Sequence, residues 1–251
     1  MVPPSLQREV FPNMEGATLL SQLRDNGFAR IKITDKQKLD VLHKQLIAVQ
    51  QATTFRFPPE EGPVIYDSLK REVFQIMFDV ARQCLLSVLN EVSTSDDNVR
   101  RLQRKLVLSN QQDLFQNPNA PFSEEQAFSG SFFNLFHYDH GCLNTHRDRY
   151  LITVIAVLPP PQPVAHSALW VKSPAVGWQN VDRITAPDEL LVFVGEEMTR
   201  LSTAWGDPYL AVEHCIRVDP DGERIPHSHY QRDPMTSETG NRCSIALVLG
   251  E

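Results

Sequence analysis

The sequence predicts an α+β protein: a helical front half, to about residue 120, leads into a back half of short β-strands closed as a sandwich or barrel. Two observations carry this. In the front half apolar residues recur at three- and four-residue steps, the helical period. From about Phe122 the apolar residues instead fall in short runs of Val, Ile, Leu and Phe bounded by turn residues, the pattern of many short strands. Composition sets the outer limits. Of 251 residues 41% are hydrophobic and 22% charged, which suits a folded domain and not a disordered chain.

The first strand is expected early, at Ala29–Ile33, where apolar and basic residues alternate after the turn residue Gly27. It is expected to pair with the later sheet. Thr34-Asp-Lys-Gln37 has the spacing of a capping box, and Leu39, Leu42, Leu46 and Val49 behind it share a helix face. Phe57-Pro58-Pro59 and Gly62-Pro63 break that helix. A longer one is expected from about Asp67 to Val92, with Leu69, Val73, Ile76, Val80 and Cys84 on one face. The loop at Ser93–Asn98 then caps a further short helix. The expected later strands are Phe132–Phe136, Leu151–Leu158, Ala168–Val171, Leu190–Val194, Ala211–Val218 and Ile245–Leu249.

Charge and targeting signals narrow the function class. Against 31 Asp+Glu there are 24 Lys+Arg, a net charge of −7 with no basic block, so no nucleic-acid partner and no anionic membrane surface is expected. The N-terminal residues have no basic stretch followed by an apolar one, as a signal peptide would. The longest aliphatic run, Leu151–Leu158, falls far short of the ~20 residues that span a bilayer. Cys84, Cys142, Cys215 and Cys243 form no CxxC pair and read as small buried thiols in a reducing compartment. A cytoplasmic protein without a membrane partner is the default expectation.

The chemistry is concentrated in the back half, beyond residue 139, which holds six of the eight histidines. In Thr145-His146-Arg147-Asp148 the imidazole and carboxylate sit two residues apart, and on a strand such positions project from one face. That donor pair suits a borderline divalent metal such as Fe(II). A third donor must come from another strand, and Val212-Glu213-His214-Cys215-Ile216 supplies a histidine 68 residues on. His227 and His229 compete for that place, but they lie in a polar stretch broken by Pro and Gly, with no aliphatic neighbours to fix them. Two histidines and one carboxylate on one face of a metal, with the other positions open, is the arrangement of non-haem Fe(II) oxygenases.

Around these residues runs an ordered set of further motifs. Thr153 enters the aliphatic strand; Ala168–Val171, Gly177-Trp178, Pro187–Glu196 and Leu201-Ser202 follow; Tyr209–Val218 and Asn241–Ile245 close the series. With Leu19–Ala29 and Thr53–Pro58 in front, this order resembles the 2-oxoglutarate-dependent Fe(II) dioxygenases, in particular the isopenicillin N synthase-like group. The resemblance covers about residues 10 to 250 and implies a double-stranded β-helix (jelly-roll) core at 121–251. Residues 1–120 would then be a helical N-terminal region lending a strand to that core.

The resemblance further implies that His146, Asp148 and His214 ligate iron. Arg242 and Ser244 match the Arg-x-Ser pair that holds the distal carboxylate of 2-oxoglutarate, and a guanidinium paired with a hydroxyl suits a carboxylate chemically. Tyr138 falls near the family's Asn-x-Tyr element, whose tyrosine also reaches the cosubstrate. Phe136 replaces the asparagine here, and Tyr138 reads equally well as an edge-strand core residue. The implied activity is oxidation of a small-molecule substrate by dioxygen, as hydroxylation, desaturation or cyclisation, through an Fe(IV)-oxo species with release of succinate and CO2. The alternatives are an Fe(II) oxidase of the same fold that does not use 2-oxoglutarate, and a catalytically silent metal-binding module.

Two departures from the family pattern stand out. The 68-residue ligand interval is long, with the extra length assigned to Pro159–Pro163. From His214 to Arg242 is 28 residues, where relatives have a short hairpin. Long polar loops in compact domains are often lids or binding elements, so residues 219–241 either cover the site or leave the pocket open.

Overall fold

In the computed structural model the described residues are 16–51, 68–91, 96–108, 132–139, 143–157, 166–204, 206, 208–219 and 241–250. The helical layer comprises α1 (Gly16–Asn26), α2 (Lys36–Gln51), α3 (Ser68–Glu91) and α4 (Asp97–Leu108). The expected faces are the buried ones: Leu42 and Leu46 on α2, and Val73, Ile76, Val80 and Cys84 on α3. Burial pushes the Cys84 thiol far up from its ordinary value, so it is an inert packing group. The cap of α2 differs from the expected capping box. Asp35, not Thr34, accepts from the backbone N–H groups of Gln37 (2.9 Å) and Lys38 (3.3 Å), since its short carboxylate reaches both open amides of the first turn. Asp96 caps α4 in the same way, accepting from the amide of Asn98.

Strand β1 (Phe28–Lys32) follows α1 through Gly27, whose φ of +72° favours glycine. The back half supplies β2 (Phe132–Asp139), β3 (Leu143–His146), β4 (Ile152–Val157), β5 (His166–Ser173) and β6 (Gly177–Asn180). After the one-turn helix α5 (Val181–Ile184) come β7 (Glu189–Val194), helix α6 (Glu196–Thr203), β8 (His214–Asp219) and β9 (Asn241–Leu249). All neighbouring strands are antiparallel. One sheet has the order β1-β7-β4-β9-β2 and the other β3-β8-β5-β6. The early strand does pair with the later sheet, Ala29 opposite Val192 and Ile31 opposite Leu190.

The central strands β7, β4 and β9 of the five-stranded sheet are buried on both faces. Val154, Leu190, Val192, Leu247 and Leu249 pack with Val73, Met77 and Leu85 of the helical layer. The alternate residues Ile155, Leu191, Phe193 and Ala246 pack with Leu169, Val171 and Ile216 of the second sheet. Burial on both faces explains why β4 and β7 read as unbroken apolar runs rather than alternating ones. The architecture is therefore helices, sheet, sheet.

Strand β6 and helices α5 and α6 have no counterpart among the expected elements, while β3 is the strand implied at His146 and stops at that residue. The run expected as a strand from Ala211 is extended only from His214. Trp170 is buried against Ala168 and Cys215, with Trp178 packed beside them. The region near residue 120, Pro159–Pro163, Cys142 and most of the 219–241 stretch lie outside the described residues. Among the described residues no helix is long and apolar enough to cross a membrane.

Candidate metal centre

The second sheet brings two histidines side by side, their rings tilted by 56°. His146 ends β3 and His214 begins β8, and the two are direct cross-strand partners with ring centroids 4.2 Å apart. Asp148 does not lie on the strand with His146, as the two-residue spacing suggested; it sits in the irregular loop that follows. It still reaches the same point. Its Oδ1 is 3.7 Å from Nε2 of His146 and 3.6 Å from Nε2 of His214, gaps that one ion with bonds of about 2.1 Å can bridge. His146, Asp148 and His214 are the one group of three potential metal donors among the described residues, with donor atoms all within 4.8 Å of one another.

Each donor is aimed by a second hydrogen bond. His146 Nδ1–H donates to the carbonyl of Asn144 (2.8 Å), and His214 Nδ1–H to that of Val212 (3.2 Å). A carbonyl only accepts, so each ring must carry its proton on Nδ1, which leaves the Nε2 lone pair free for a metal. The buried hydroxyl of Thr153 on β4 donates to Asp148 Oδ2, leaving Oδ1 on the side of the histidines. His214 is only 5% exposed and packs against the Phe193 ring. Its burial lowers its pKa from the ordinary value; the Asp148 charge pulls the other way, and His146 lowers it further. The neutral imidazole so favoured is the form that binds metal. The donor set and its protonation thus fit a divalent cation of intermediate softness.

The Asp148 loop is held from behind by α6. The amide of Glu196 donates to the carbonyl of Asp148 (2.7 Å), that of Gly195 to Leu151 (3.1 Å) and that of Glu197 to Tyr150 (3.2 Å). Gly195 is required by proximity, because a Cβ there would lie 1.9 Å from the Tyr150 carbonyl oxygen. On the solvent side Glu213 accepts from Lys172 (2.9 Å) and Arg147 (3.3 Å), which ties together the segments bearing the two histidines. The Lys172 hydrogen bond, with the positive charges of Lys172 and Arg147, holds the Glu213 carboxyl below its usual range. Sequence reasoning found the three donors but missed Gly195, Glu213 and the role of Thr153; only the H-x-D-x-x-x-x-T spacing hinted at the last.

The expected cosubstrate residues lie in the five-stranded sheet. Ser244 on β9 is buried and pairs with Phe136 of β2 and Val157 of β4; Arg242 pairs with Tyr138. The side chains of Arg242 and Tyr138 lie outside the described residues, as do His227 and His229.

No protein-family model matches the chain, and no curated protein matches its sequence. Solved structures do match. A candidate oxygenase from Shewanella oneidensis is 16% identical with a TM-score of 0.55, over 94% of this chain and 86% of that one. A full-length Neurospora crassa protein in complex with alpha-KG is 12% identical with a TM-score of 0.54, over 94% of this chain and 78% of that one. At such identities the likeness is one of fold: the chain shares the fold of these two proteins.

Proposed function

We propose that the protein is a non-haem Fe(II)- and 2-oxoglutarate-dependent oxygenase acting on a small molecule, with His146, Asp148 and His214 as the iron ligands. The observation that carries this reading is the convergence of three donors, each already turned toward one point by a hydrogen bond from its far side. The shared fold with a protein crystallised with alpha-KG supports it. The order of motifs favours the isopenicillin N synthase-like group, with a double-stranded β-helix core at 121–251 and a helical region at 1–120 lending β1.

When bound, Fe(II) would activate dioxygen, and 2-oxoglutarate would supply two of the electrons that reduce it, leaving as succinate and CO2. The chain's own residues bind and orient. In this reading Arg242 offers two parallel hydrogen bonds to the distal carboxylate and Ser244 a third, with Tyr138 at the neighbouring register position. Asp148 and the two imidazoles present one lone pair each. Phe193, packed on the His214 ring, keeps water from that side of the site.

The test is direct. Purified protein supplied with Fe(II), 2-oxoglutarate and air should form succinate even without its true substrate, at the slow uncoupled rate. His214→Ala and Asp148→Ala should each lose iron binding by more than the about 100-fold expected of an outer-shell change. Arg242→Ala should keep iron and lose 2-oxoglutarate. Iron binding without succinate would favour the oxidase or the silent module, and full iron binding by His214→Ala would move the third ligand to the 219–241 loop.

A further inference from the structure

Asp148 and His214 come from segments far apart in the chain, yet both segments hang on the same short helix. The N-terminal end of α6 receives the carbonyls of Asp148, Tyr150 and Leu151. One turn further along, Thr199 Oγ1 accepts the backbone N–H of Ala211 (2.7 Å), and the fully buried Ser202 Oγ accepts that of Tyr209 (2.9 Å). Thr199 and Ser202 are three residues apart and so share a helix face. The segment they hold runs straight into His214. It is pinned again where Val212 meets Gly27, with no room there for a Cβ, and where the Tyr209 hydroxyl donates to Glu91 at the end of α3. Neither Thr199 nor Ser202 is needed for helix formation, since a hydroxyl inside a helix is neutral or slightly unfavourable. Their hydroxyls are spent on backbone amides that belong to no strand ladder.

We propose that α6 is a bracket that sets the separation of Asp148 and His214, with Thr199 and Ser202 as positioning residues for the metal centre. The inference rests on the metal reading above and adds a reciprocal consequence. An ion held between Asp148 and His214 joins the same two segments that α6 joins, so each must stabilise the other. Metal affinity depends on α6, and the contacts of α6 tighten when metal binds.

The experiment uses the full chain and Mn(II), a redox-quiet divalent probe. Mn(II) should slow hydrogen exchange at the amides of Glu196, Tyr209 and Ala211 by about fivefold or more, the lower end of ordinary coupling between sites. Thr199→Val, which keeps shape and removes the hydroxyl, should weaken Mn(II) binding roughly 10- to 100-fold, and Thr199→Ser should restore it. A purely structural role for Thr199 would lower the melting temperature of the Val variant and leave its Mn(II) affinity at the wild-type value, which overturns the proposal. So does unchanged exchange at the three amides on adding Mn(II), a measurement that needs no variant to fold. If the wild-type chain binds no Mn(II), the metal reading fails and takes the bracket with it. Wild-type binding with an indifferent Thr199→Val removes the bracket alone.

Discussion

Thr153 sits among Ile152, Val154, Phe193 and Val248, where a hydroxyl has no water to bond. Its partner is the Asp148 carboxylate, and a bond to an ionised group is worth more than one between neutral groups. Thr153→Val should therefore keep the fold and release the carboxylate from its orientation. The expected result is a metal affinity lower by about 10- to 100-fold, recovered in Thr153→Ser, as read by calorimetric titration with Mn(II). At this scale the sequence is largely legible. His146, Asp148 and His214 are singled out by residue type and spacing, and the structure brings them together. Alternation along one strand, however, is not what joins His146 to Asp148. His146 is the last strand residue, and the carboxylate returns to it through a loop whose course is fixed by the amides of Gly195, Glu196 and Glu197. No local pattern in residues 146–148 encodes that contact.

At the scale of elements, legibility follows burial. Strands β4 and β7 are read from sequence because both their faces are covered and their runs are almost wholly apolar. Strands β3 and β6 are four residues each, Leu-Asn-Thr-His and Gly-Trp-Gln-Asn, and neither alternates nor clusters apolar residues. Helix α6 has eight residues and buries only Met198, Leu201 and Ser202, too few for a period to show. Its importance lies in what its backbone and hydroxyls hold, which composition does not report. Gly195→Ala tests the approach of α6 to the Asp148 loop. The added Cβ meets backbone rather than a movable side chain, so overpacking of about 1–3 kcal/mol is expected from denaturant unfolding, along with weaker metal binding as the loop is displaced.

For the molecule as a whole, the helical layer and the five-stranded sheet share one apolar cluster, with Met77 of α3 fully buried in it. Met77→Ala should cost about 2–5 kcal/mol. If the layers fold as one unit, helical circular dichroism and tryptophan fluorescence, the latter reporting in part on Trp170 in the far sheet, should keep a common midpoint that shifts together. Two separated transitions would mean that the helical region melts on its own. That helices predominate in the described residues up to 108 and strands from 132 is legible from the change of period between them. The strand order is not, because pairings such as β1 with β7 or β9 between β4 and β2 join positions far apart in the chain or reverse its order.

The place of β1 has a consequence for how the chain avoids self-association. It occupies the outer side of β7, whose Leu190-Leu-Val-Phe-Val194 combines high β-propensity with no charge and no proline, the signature of a segment that stacks with its own kind. As the edge itself, β1 shows Arg30 and Lys32 to solvent, charges that discourage further pairing. It also leaves the ribosome well before β7 does. Without β1 the apolar run of β7 would be an open edge, so the strand-rich half expressed alone should aggregate.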